Sequence, residues 1–107
     1  MNIQELHKKI YESLVENKEQ SFLSSLEACL DFTTPLLGNV SKFKQVFLNE
    51  KFFKSPASTR YHHSYDYGLS IHTLETVFWA IRYSVNYLGV KDDTFLQKTV
   101  LVALKSF

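Results

Sequence analysis

The chain has 107 residues, 45% of them hydrophobic and 21% charged, with a formal net charge of +1 at neutral pH. A chain of this length folds as one domain, residues 1–107, burying roughly two-thirds of its unfolded surface, and so low and mixed a charge content excludes intrinsic disorder. Its single cysteine, Cys29, excludes an internal disulfide and suits a reducing compartment.

The opening "MNIQELHKKIYESLVENKEQ" places a charge every few positions. It has no apolar stretch of signal-peptide type, and nowhere do about eighteen apolar residues run together, so a cytoplasmic protein with no membrane partner is expected. Within this segment Ile3, Leu6, Ile10 and Leu14 recur at three- and four-residue steps, with Glu5, Lys8, Lys9, Glu12 and Glu16 on the other faces. That spacing predicts an amphipathic helix of about four turns. Phe22, Leu26, Cys29 and Leu30 repeat the step in a second helix, which Pro35 should stop because the residue before a proline is pushed out of helical geometry. Cys29 falls on its apolar face, where a small buried thiol is expected rather than a nucleophile.

A short third helix is predicted from about residue 40, with Phe43, Val46 and Phe47 on one side. Five cations, Lys42, Lys44, Lys51, Lys54 and Arg60, stand against the single acid Glu50 between positions 42 and 60. They read either as a solvated face or as a phosphate-contacting strip, because cations beside exposed aromatics are a common nucleic-acid footprint. The irregular run "KSPASTRYHHSYDYG" follows, in which Pro56, Gly68 and a polar majority break any period. Such a long loop is uncommon in a compact domain and often functional.

The longest helix is expected over residues 69–88, ended by Gly89, which accepts left-handed geometry without steric cost. Leu74, Val77, Phe78, Ile81, Val85 and Leu88 gather on one side as a core stripe. His72, Thr76, Trp79 and Tyr83 line the opposite side, which places His72 at or near the interior, facing something other than the aliphatic core. A last helix opens at "DDTFLQKTVLVALKSF", with Asp92 or Asp93 as its cap and Thr94 with Gln97 fitting a capping box. No segment alternates, so the expected fold is all-α, a compact bundle of about five helices.

A histidine held rigidly near the start of a helix is a good ligand for a divalent metal when further N or O donors converge on it. The upstream loop offers His62, His63 and Asp66. The bland alternative is a histidine hydrogen-bonded in the core or exposed. Paired cysteine motifs, H-E-x-x-H, a glycine-rich phosphate loop and a nucleophile elbow are all missing from the chain.

The segment "FFKSPASTRYHHSYDYGLSIHTLETV", residues 52–77, resembles the opening of an HD-superfamily phosphohydrolase domain, in the group similar to bacterial 3′-to-5′ exoribonucleases and relaxase-associated HD proteins. The matching residues, in order, are Pro56, Ala57, Ser58, His62, His63, Gly68, Leu69, His72, Thr73 and Leu74. The resemblance implies an all-α, metal-dependent phosphohydrolase acting on nucleotides or nucleic acid. In it His72 is the first metal ligand, for Mn, Mg, Fe or Ni, and a later His-Asp doublet and a final aspartate complete the set that activates water. His62 and His63 would sit near the pocket, where metal or substrate phosphate meets them, with Lys54 or Arg60 as phosphate contacts.

The chain has no His-Asp doublet, and its Asp92-Asp93 pair follows no histidine. The expectation is therefore an incomplete, HD-like but truncated domain that is inactive alone. Val100, Leu104 and Phe107 form an apolar stripe at the C-terminal end. The chain is expected to be a piece of a longer hydrolase, a short protein that uses this stripe to bind another protein, or a homodimer formed through it. The alternative function is a small non-enzymatic interaction module that binds and regulates a larger cytoplasmic protein, with Trp79, Tyr83 and the C-terminal stripe as contact surface.

Overall fold

The computed structural model of the chain describes residues 1–38, 45 and 67–105. The helix expected from about residue 40 lies outside the described residues, as do Lys54, Arg60, His62, His63, Asp66 and Phe107. The elements within them are helical throughout: α1 (Ile3–Glu16), α2 (Glu19–Phe32), the short α3 (Thr34–Leu37), α4 (Gly68–Arg82), which runs into a π-helical turn at Tyr83–Tyr87, and α5 (Asp93–Leu104). The all-α bundle expected from the sequence is what forms.

Helix α1 starts where Asn2 caps it. The Glu5 amide donates to Asn2 Oδ1 at 2.8 Å, and the Asn2 amide donates back to Glu5 Oε1 at 3.3 Å, a reciprocal capping box. It stops at Asn17, whose left-handed φ of 57° lets its amide reach the Ser13 carbonyl. Ile3, Leu6 and Ile10 are buried as their spacing requires, but Ser13 takes the next inward place and Leu14 is only half-buried. The Ser13 hydroxyl lies 3.0 Å from the carbonyl oxygens of both Lys9 and Ser21 and against the hydroxyl of Ser25, itself fully buried on α2. Two small side chains let α1 and α2 approach closely while every buried hydroxyl keeps a partner.

In α2, Phe22, Leu26, Cys29 and Leu30 are all at most 2% exposed, as the periodicity requires. The helix ends at Thr33, ahead of Pro35. Thr33 is fully buried, and its hydroxyl donates to the Leu30 carbonyl at 2.8 Å. Pro35 then occupies the first turn of α3, where a missing amide costs nothing.

Helix α4 is the central rod, packing against α1, α2 and α5. Ile71, Leu74, Val77, Phe78 and Ile81 join α1, α2 and α5 in one apolar core. Each such burial contributes about 1.5–3 kcal/mol. The core stripe is lost at the C-terminal end of this rod. The Leu88 amide bonds the Tyr83 carbonyl at 3.0 Å, an i→i+5 step, and Val90 reaches Ser84 at 2.9 Å. This wider turn takes in one extra residue, so the side chains beyond it lose register. Ser84 is therefore buried, and Val85, though half-buried, still packs against the core as expected, while Leu88 is 56% exposed, against the expectation that it too faces the core. Gly89, with φ of 68°, turns the chain as expected. Asp92 caps α5 by accepting from the Phe95 amide at 3.1 Å. Thr94 lies inside the helix, so the box expected between Thr94 and Gln97 does not form.

Candidate functional site

His72 stands one turn into α4, and its carbonyl accepts from the Thr76 hydroxyl at 2.8 Å. The helix start that positions it has an unusual cap: Tyr67 holds a left-handed φ of 64°, with its phenol donating to Glu19 Oε2 at 3.0 Å and its ring 6.3 Å from Phe22. Tyr67 makes no side-chain cap hydrogen bond, but these contacts tie it to α2, and Gly68 and Ser70 are buried directly after it. His72 itself is half-buried. Among the described residues no three His, Cys, Asp or Glu side chains come together around a common point. His62, His63 and Asp66, the donors expected to join His72, lie outside the described residues.

Along the same stripe Thr76 is half-buried, and the aromatic residues beyond it face outward. Trp79 is 59% exposed and Tyr83 55%, and Tyr87, one further step along, is 81% exposed. Tyr83 and Tyr87 stack with ring centroids 5.3 Å apart and planes 12° from parallel, and the Arg82 guanidinium carbon lies 5.6 Å from the Trp79 ring centroid. Trp79 meets the buried Phe78 edge-on at 5.1 Å, which anchors the indole from below. Beside this strip an open groove of about 440 Å³ runs between α4 and α5, lined by Thr76, Ala80, Phe95, Lys98 and Val102 among others. The Trp79 and Tyr83 positions were legible as a stripe. Tyr87 was missed, although its spacing of four from Tyr83 was a visible signal.

The C-terminal apolar stripe requires a correction. Val100 is 0% and Leu104 1% exposed, and both belong to the common core with α1, α2 and α4. They are satisfied within the chain and offer no surface to a partner. The exposed apolar residues of α5 are instead Phe95 and Val102, at 47% and 65%.

Cys29 is fully buried, and desolvation pushes its thiol up to about 12. A thiol so far from ionisation at neutral pH is inert, in line with the sequence expectation.

His7 is a residue that sequence reasoning passed over. Its ring stacks on Phe78 with centroids 4.3 Å apart and an interplanar angle of 14°, and its Nε2 is buried with no hydrogen-bond partner. Burial lowers its pKa below the ordinary 6.5, and the nearby Arg82 charge lowers it further. As pH falls through about 6.5 the unfolded chain takes up this proton before the folded chain does, so His7 withdraws stability from there down to its folded pKa. Melting curves between pH 7 and 5.5 should therefore show the wild type losing ground, relative to His7→Gln, as the solution is acidified. A gap between the two proteins that stays constant over this interval removes His7 from the pH response.

Comparison of the chain with protein-family models, with curated proteins and with solved structures gives no match.

Proposed function

We propose that the chain is an HD-like helical domain, related to metal-dependent phosphohydrolases that act on nucleotides or nucleic acid, with His72 as its metal ligand. The observation that carries this reading is the position of His72: a half-buried imidazole one turn into the central helix, reached directly from the run "YHHSYDYG" that holds His62, His63 and Asp66. An imidazole so placed is rigid, belongs to the helix that organises the bundle, and lies next in sequence to three more donors. A divalent cation is the cofactor this donor set suits, through imidazole nitrogens and a carboxylate oxygen. When bound, it would lower the pKa of a coordinated water and polarise a phosphoester oxygen. Lys54 and Arg60 are the phosphate contacts in this reading.

The chain supplies His72 of the resembled ligand set, and it contains no His-Asp doublet. With that acid missing, it holds metal weakly and does not turn over a phosphoester alone. The deciding experiment is metal titration of the wild type and His72→Ala, set out in the Discussion.

A second reading has its own observation behind it. The exposed strip of Trp79, Tyr83 and Tyr87, with Arg82 over the indole, has the composition of a protein contact surface, since Trp, Tyr and Arg dominate binding energy at interfaces. In this reading the domain works by holding another protein. A protein cross-linked to the wild-type chain in its native cells should then bind purified Trp79→Ala more weakly by thirtyfold or more, which corresponds to about 2 kcal/mol. Because Trp79 is largely exposed, the variant should keep its melting temperature. Equal affinity for wild type and variant sends this reading away.

A further inference from the structure

Where α1 passes the end of α4 there is a cleft of about 110 Å³, separate from both His72 and the α4–α5 groove. At roughly 30 Å³ per water it has room for one small ion and a water or two. Its polar lining is Gln4 and His7 from α1 with Arg82 and Asn86 from the far side, over an apolar floor that includes Ile81. No carboxylate lines it.

Three observations make this cleft more than a packing gap. His7 Nε2 is buried without a hydrogen-bond partner, and such an orphan is costly unless something pairs with it. Arg82 makes no ion pair with any described residue. Its guanidinium carbon lies 5.6 Å from the Trp79 ring centroid, and a cation over a ring does not use up the five N–H donors of the group. Finally, the π-helical turn lies in the wall: Asn86 belongs to Tyr83–Tyr87, where a wider turn displaces the backbone from α-helical register, a departure that often accompanies a binding site.

We propose that this cleft binds a tetrahedral oxyanion, either a free inorganic ion or the phosphate end of a small ester, through the Arg82 guanidinium, His7 Nε2–H and the amides of Gln4 and Asn86. The oxyanion completes the orphan imidazole nitrogen and neutralises the arginine, over an apolar floor that strengthens both interactions. Carbonyl-bearing neutral ligands leave the arginine uncompensated, and cations meet only like charge. The same Arg82 charge that disfavours protonation of His7 in the empty cleft is offset by the anion, so binding and protonation of His7 reinforce each other.

The test follows the His7 ring resonances by NMR while the full chain is titrated at constant ionic strength. Sulfate, whose charge does not change over the pH range used, is the first probe; inorganic phosphate and glycerol 3-phosphate are the second and third. A saturable shift is expected with sulfate and absent with chloride, and Arg82→Gln, at an exposed position that leaves the fold intact, weakens it at least tenfold. Saturating sulfate also raises the His7 pKa measured by the same signal. The order of the two phosphate probes identifies the source: tighter glycerol 3-phosphate means an ester, tighter inorganic phosphate means the free ion. Equal shifts from chloride and sulfate, or an unchanged sulfate affinity in Arg82→Gln, overturn the assignment.

Discussion

Leu104→Ala should destabilise the protein by about 2–5 kcal/mol, because it deletes a side chain only 1% exposed and leaves a cavity that the surrounding core fills incompletely. Small domains are stable by only about 5–15 kcal/mol in total. For a chain of this size each kilocalorie moves the melting temperature by roughly 4–8 °C, so a fall of about 10 °C or more is expected. Val102→Ala, two positions away, is the internal control. Val102 is 65% exposed and its truncation should stay within about 0.5 kcal/mol of wild type. The contrast separates two views of the C-terminal helix. If the stripe of Val100 and Leu104 were a surface kept for a partner, both substitutions would be equally mild; if it closes the core, as their burial indicates, only the first is severe. Thermal denaturation followed by circular dichroism decides it.

The second large effect concerns metal. Calorimetric titration of Mn²⁺ or Ni²⁺ into the wild-type chain should give a weak site of unit stoichiometry, and His72→Ala should abolish it. Loss of even an outer hydrogen-bond partner of a metal ligand costs about ten- to a hundredfold in affinity, and loss of the ligand on the central helix should exceed that. His72 is half-buried rather than part of the apolar core, so the variant is expected to fold, which circular dichroism verifies. His7→Gln serves as the histidine control. Its imidazole lies against Phe78, in a cleft without a carboxylate, and its replacement should leave the metal heat unchanged. Identical heats from wild type and His72→Ala would remove the basis for the phosphohydrolase relationship, whereas loss of binding in His7→Gln would move the site to the other end of α4.

Much of the bundle was readable from spacing. Phe22, Leu26, Cys29 and Leu30 had to share a helix face, and all four are buried. Asp92 or Asp93 had to cap the last helix, and it is the Asp92 carboxylate that accepts the Phe95 amide. These features are local: a helix brings residues three and four apart together whatever surrounds it, and a cap satisfies amides only three residues away. Ser13 and Ser25 were not readable in the same way. A hydrophobic pattern passes over serine, yet here two of them occupy the α1–α2 contact because each finds a carbonyl on or across the helix pair.

The candidate site was legible only in part. Spacing put His72, Thr76, Trp79 and Tyr83 on one side of a helix, which is correct, but spacing carries no information about what covers that side. The exposure of Trp79 and Tyr83 follows from where the other helices dock. His7 was invisible for the related reason that its stacking partner, Phe78, is distant in sequence.

The order of apolar and polar residues by itself determined that this chain is helical, where most of its helices begin, and which side chains each would turn the same way, since all of that is settled within a few residues along the backbone. Only the tertiary structure decided that Val100 and Leu104 close the core, that α4 ends in a wide turn with Ser84 inward and Leu88 outward, and that His7 and Arg82 border one cleft. Those outcomes depend on contacts between helices, where the free energy of excluding water is shared among residues far apart in the chain and no local pattern can assign it.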